Sequence, residues 1–211
     1  MADRAIRPRV AAYYTGKLKE HGATARGVDW KSEESQLLRF RQLLRICEGE
    51  RSFSLNDYGC GYGALVDPLR AAHADATYCG FDIAEEMVAE ARRRHRGVPG
   101  CTFVSEESRL PTADYTVASG ILNVKLDIAN EDWEAYAFDT IARLNALGRR
   151  GFAFNALTLY SDPEQRRPDL YYMDPLRVFD HCKRTFSPHV ALLHDYPLYE
   201  FTILVRRREG R

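Results

Sequence analysis

Leu55-Asn56-Asp57-Tyr58-Gly59-Cys60-Gly61-Tyr62-Gly63 is the stretch that decides the fold, and Tyr78-Cys79-Gly80-Phe81-Asp82-Ile83 follows it with room for one helix between. A strand pattern runs into three glycines at alternate positions, and a second strand pattern ends on an acid nineteen residues after Gly63. Such glycines turn the chain sharply out of a strand and let backbone approach a ligand with no Cβ in the way. Strand, glycine loop, helix and a strand closing on a carboxylate make the layout of a nucleotide-cofactor site. Asp57, two residues before Gly59, adds a charge argument. Its carboxylate would repel the pyrophosphate of a dinucleotide and attract a cofactor arm that carries positive charge. The same loop, written Gly59-x-Gly61-x-x-Ala64, also satisfies the looser dinucleotide pattern. A nicotinamide- or flavin-dependent oxidoreductase is therefore the first alternative, and a glycine turn that holds no ligand the bland one.

An acid followed by Gly-x-Gly-x-Gly resembles the first motif of the class I S-adenosylmethionine-dependent methyltransferases. The resemblance covers residues 50 to 157 by motif and the C-terminal third by architecture alone. It implies an α/β fold of three layers, a Rossmann-like seven-stranded, mostly parallel sheet with a C-terminal antiparallel hairpin and an N-terminal helical lid. It implies S-adenosylmethionine as cofactor and S-adenosylhomocysteine as product. Gly59, Gly61 and Gly63 would form the cofactor loop, with Asp57 near the sulfonium arm. Asp82 would bind the ribose, since an ionised carboxylate accepts two hydrogen bonds at once. A non-catalytic protein that binds the same cofactor is the remaining alternative.

Composition sets the frame. A length of 211 residues fits a single domain, divided here into a lid and first helix (1–50), a cofactor-binding core (51–157) and a substrate insertion with the terminal hairpin (158–211). With 30 basic and 30 acidic side chains, nothing in the charge balance attracts polyanions, and a nucleic-acid substrate is not favoured. No apolar run reaches the ~18 residues of a membrane span, and the first residues lack a signal-peptide core. Five scattered cysteines without a Cys-x-x-Cys pair indicate neither a disulfide framework nor a zinc site, and fit a cytoplasmic protein.

Periodicity supplies the elements. Residues 1 to 31 read as irregular or weakly helical. Ser32 caps an amphipathic helix that Gly49 ends. Strands are expected at 53–58, 77–81, 102–104, 115–119 and 151–157, and helices at 62–73 (with Pro68 as an irregularity), 84–96 and 133–147. Residues 158 to 173 read as an inserted loop rich in turn formers and tyrosine. Asp174 caps a helix over 175–186 whose first residue is Pro175. Strands at 190–193 and 199–205, joined by a short turn, should pair antiparallel.

Ligands in such a sheet bind beyond the carboxyl ends of the strands. The ends to inspect are Asp57, Asp82, Ser105-Glu106, Ser119-Gly120 and Asn155. By the resemblance, Glu106 would accept from the adenine amino group, although aspartate after glycine is the commoner pattern there; the alternative is a solvated loop acid. Ile83 and Met87 either pack on adenine or pack their helix on the sheet. Ser119 and Asn123 lie where methyl group and acceptor meet in this fold; Asn123 either orients a polar substrate or bonds its own backbone. The Asn/Asp-Pro-Pro-Tyr/Phe tetrapeptide of many amino-methylating nucleic-acid enzymes is absent from the sequence. His194, after the sixth strand, is the candidate general base, with a surface hairpin histidine as the alternative. Tyr14 and Trp30 are candidates for the cofactor lid. Tyr160, Tyr171, Tyr172 and Tyr196 are candidates for the acceptor walls, each offering an apolar face and a hydroxyl. The expected reaction is O- or N-methylation of a small polar metabolite.

Overall fold

A computed structural model describes residues 2–207. Its helices are α1 (Ala2–His21), α2 (Glu33–Leu44), α3 (Val66–Ala72), α4 (Glu85–Arg94), α5 (Asn130–Leu147) and α6 (Pro175–Thr185). Its strands are β1 (Ser54–Tyr58), β2 (Thr77–Phe81), β3 (Cys101–Val104), β4 (Ala113–Ala118), β5 (Gly148–Leu157), β6 (His189–Leu193) and β7 (Glu200–Arg206). They form one sheet in the order β3-β2-β1-β4-β5-β7-β6. β1 to β5 run parallel, while β7 runs antiparallel to both β5 and β6. Strand order reverses between β1 and β4, which opens the crevice at their carboxyl ends.

Alternation along the strands builds the two cores. Phe152 and Phe154 of β5 point to the face covered by α5 and α6, with Trp133, Ile141, Val178 and Phe201. Ala153, between them, points to the opposite face, with Phe40, Leu43 and Leu69 of α2 and α3. Ser32 accepts from the Ser35 amide and Asp174 accepts from the Leu176 and Arg177 amides, so both expected caps close their helices. Among the described residues no helix is long and apolar enough to cross a membrane.

Two local expectations are corrected. Most of residues 1–31 form the twenty-residue helix α1, followed by a short turn of 3-10 helix at Arg26–Val28. Its apolar stripe is a narrow row at Ile6, Val10, Tyr14 and Leu18, joined by Ala11, which packs on the neighbouring helices. So narrow a stripe is diluted by the polar positions around it. The helix after the glycine loop begins at Val66 rather than Tyr62, because residues 60–65 are spent in the turn. Pro68 then falls in the first helical turn, where its missing N–H breaks no bond.

Candidate functional site

The glycine loop leaves β1 in the left-handed region, with φ of 85°, 54° and 80° at Gly59, Gly61 and Gly63. Side chains are strained in that region. A Cβ on Gly59 would also lie 2.2 Å from Ile121 Cγ2, and one on Gly61 3.0 Å from Val28 Cγ1. The loop is tied to β2 through Asp82: the Gly61 amide donates to its Oδ2 at 2.8 Å and the Ala84 amide to its Oδ1 at 2.9 Å. Each carboxylate oxygen keeps a lone pair free for a further donor. Burial raises the Asp82 carboxyl, against lowering by these amides.

Asp57 is 3% exposed and accepts from the Tyr78 hydroxyl at 2.8 Å. Burial pushes its carboxyl up to about 7; the Tyr78 hydroxyl lowers it and nearby Asp82 raises it again. Both acids line a narrow cleft of about 60 Å³ together with the glycine loop, Met87 and Ser119. Among the described residues neither acid makes an ion pair. The Ser119 hydroxyl is buried with no hydrogen-bond partner. Two unpaired carboxylates and an orphaned hydroxyl around a glycine cradle fit a ligand that is cationic and carries its own donors. Tyr14, Val28 and Trp30 close the cleft from the lid side.

The same three residues also line a second, much larger cavity of about 680 Å³ on the same edge of the sheet. Its other walls come from α2, the segment after β4, the 158–173 loop and the turn between β6 and β7. Asn123 is fixed there by an unambiguous partner. Its Oδ1 accepts from the Leu157 amide at 3.0 Å, and an amide N–H can only donate. The Asn123 NH₂ therefore faces away from β5, and among the described residues nothing accepts from it. Tyr172 and Tyr196 line the cavity as expected.

Other expected site residues lie elsewhere. Tyr171 and Tyr172 sit on an extended stretch between two isolated bridges, so they face opposite sides. Tyr171 turns into the core and donates to Glu134 at 2.9 Å. Tyr160 is 64% exposed and leans on His194, ring centroids 5.8 Å apart. His194 itself faces solvent and does not line the cavity. The carboxyl end of β6 does open on this edge, but β6 is the outermost strand, and the turn brings Tyr196 inward instead of His194. Glu106 is exposed and lies outside the cleft, as does half-buried Ile83. Met87 meets the cleft but is 1% exposed and also packs α4 against Tyr62.

The cavity wall holds a charged pair that local sequence gives no hint of. Arg39 of α2 donates from Nε and Nη2 to the two oxygens of Glu200 in β7, at 2.8 and 2.9 Å. Asn155 donates to the same carboxylate at 3.1 Å and accepts from the Gly120 amide at 2.6 Å. Arg39 and Glu200 are 8% and 1% exposed. Asp29 and Arg167 also line the cavity; Asp29 accepts from the Tyr13 hydroxyl at 2.8 Å.

Comparison with known proteins bears on the family and the fold. A family described as "Methyltransferase domain" matches residues 56–148. A relative named "Putative methyltransferase Rv1506c", from Mycobacterium tuberculosis (strain ATCC 25618 / H37Rv), is 51% identical over 164 residues, covering 78% of this chain and 99% of its own. Two solved structures share the fold. The complex of DhpI with SAM and HEP superposes with a TM-score of 0.65 at 16% identity, covering 96% of this chain and 98% of that one. Magnesium protoporphyrin IX methyltransferase from Synechocystis PCC 6803 with bound SAM gives 0.58 at 21% identity, covering 82% and 80%.

Proposed function

Because the chain belongs to the class I S-adenosylmethionine-dependent methyltransferases, we propose that it methylates a hydroxyl or amino group of a small molecule held in the 680 Å³ cavity. One observation carries this reading: a cavity of small-molecule size abuts the cleft of Asp57, Asp82 and the glycine loop, and the two share Tyr14, Val28 and Trp30. When bound, S-adenosylmethionine supplies a methyl carbon already activated by its sulfonium. Asp82 would hold the ribose, and Asp57 would face the positive arm. The free NH₂ of Asn123 would orient the acceptor by donating to an oxygen lone pair that does not attack, and the proton released by the methylated group would pass to water. Tyr172 and Tyr196 would wall the acceptor from water, so that positioning supplies most of the rate. Residues 51–157 would thus serve the cofactor and 158–211 the acceptor. Five cysteines with no disulfide among the described residues support a cytoplasmic setting.

Asp57 gives the reading a pH signature. Its folded value, about 7, lies above that of an unfolded aspartate, about 4. Between those values the folded chain binds the extra proton, so stability falls as pH rises through the window. A cationic cofactor binds the ionised form. Affinity for S-adenosylmethionine should therefore rise from about pH 6 to about pH 8, and Asp57→Asn should flatten the profile. Titration calorimetry across that range checks both. For His194, exposed and away from the cavity, the expectation is the reverse of a base: His194→Ala should leave turnover within about twofold and keep the pH–rate profile. Steady-state kinetics on the identified acceptor checks it.

The reaction itself is tested with labelled S-adenosylmethionine and a fractionated metabolite extract, with mass detection of the product. Label transferred to a small molecule supports the reading. Label found only in macromolecules, or nowhere while S-adenosylhomocysteine binds, overturns it.

A further inference from the structure

Arg39 has an unusual chemistry for a basic residue in a cavity wall. Its charge is met by Glu200, and three of its five N–H groups already donate in plane, Nη1 to the Ser35 carbonyl at 2.8 Å. Besides two remaining N–H groups, it offers a ligand its flat face. That face is covered by the indole of Trp30, whose ring centroid lies 3.9 Å from the guanidinium carbon. The edge of the same indole rests on Gly120, where a Cβ would fall 2.3 Å from two ring carbons. Gly120, at φ 72°, thus has no room for a side chain because a ring lies against it. Both Arg39 and Gly120 line the large cavity and not the cofactor cleft.

The Trp30 ring is held there by stacking and van der Waals contact, with no side-chain hydrogen bond among the described residues. Among the described residues its indole N–H donates to nothing, whereas buried Trp133 donates from Nε1 to the Leu122 carbonyl at 2.9 Å. Trp30 also sits on a loop, next to Asp29 in the left-handed conformation at φ 63°.

We propose that the face of Arg39 and the bare backbone of Gly120 form a platform for a planar aromatic ring of the methyl acceptor, and that Trp30 occupies this platform as a displaceable stand-in. The proposal rests on the methyltransferase reading above and narrows its substrate class to aromatic hydroxyl or amino compounds. A ring seated on Gly120 brings its substituent to the junction of the two cavities, since Ser119, the preceding residue, lines the cofactor cleft. Stacking on a guanidinium discriminates a π system from a saturated ring of the same shape.

The test uses matched pairs on the full chain saturated with S-adenosylhomocysteine: catechol against cyclohexanediol, and para-hydroxybenzoate against its cyclohexane analogue. Calorimetry should give the aromatic member about tenfold tighter binding. Acrylamide quenching should rise as it binds, because Trp30 is displaced while Trp133 stays fully buried. Trp30→Ala should tighten the aromatic member several-fold and leave the saturated one unchanged. The charge-free pair Arg39→Met with Glu200→Gln should erase the preference without stranding a buried charge. Equal affinity for both members overturns the platform, as does weaker aromatic binding in Trp30→Ala, which would make Trp30 a fixed wall. Methylation of aliphatic acceptors without aromatic preference removes this inference and leaves the proposed function. Aromatic preference in binding with no small-molecule methylation from the extract does the opposite.

Discussion

Gly61→Val is expected to reduce binding of S-adenosylmethionine and S-adenosylhomocysteine by about 100-fold or more while the chain still folds. Two effects combine. Gly61 sits at φ 54°, where a β-branched side chain is a true outlier, so the loop must leave its observed path. Leaving it breaks the hydrogen bond that the Gly61 amide donates to Asp82 Oδ2, and a hydrogen bond to a charged group contributes about 1.5–3 kcal/mol. The same residue meets the lid through Val28, so the valine also pushes on the wall that closes the cleft. Calorimetry with S-adenosylhomocysteine reads the loss, and a cooperative thermal melt shows that the sheet survives. Gly61→Ala, which tolerates the left-handed region at about 1–2 kcal/mol, should show a smaller loss. Unchanged affinity in both variants would mean that the loop does not touch the cofactor.

This part of the site was legible because its information is local. The strand, the alternating glycines and the acid at Asp82 lie within 28 residues, and each has a backbone reason to be where it is. The antiparallel pairing of the last two strands follows from their short turn, and the seven-stranded, mostly parallel sheet from the resemblance to the class I methyltransferases. What stayed hidden has identifiable physical causes. α1 packs through a narrow stripe of Ile6, Val10, Ala11, Tyr14 and Leu18, which does not stand out from its polar surroundings. Tyr171 and Tyr172 look alike in sequence, yet extended backbone sends one to the core and the other to the cavity. His194 follows the carboxyl end of β6 on the cavity's edge of the sheet, but which side chain of a hairpin turn points inward depends on the register of β6 on β7. Arg39 and Glu200 are 161 positions apart, and nothing near either one in sequence announces the other.

That pair carries the second large effect. Arg39→Met should destabilise the fold by about 3–5 kcal/mol, the usual result of stripping one partner from a buried ion pair. Glu200, 1% exposed, would keep Asn155 as its remaining donor, too little for a full charge out of water. Glu200→Gln should cost a similar amount by stranding Arg39. Making both changes together should recover most of the loss, because the penalty lies in the uncompensated charge rather than in the missing attraction. Urea unfolding of the four proteins gives the cycle directly. If each single variant stays within about 1 kcal/mol of the parent, the pair is reached by water and exerts no more than a surface bridge does. A large coupling has a further consequence. Glu200 holds both Arg39 and Asn155, and Asn155 holds the Gly120 amide, so the pair fixes the platform under Trp30 from α2 to the end of β4 as one unit. The double variant should then fold well and still bind S-adenosylhomocysteine, yet lose selectivity among acceptors, which separates what the pair does for the fold from what it does for the site.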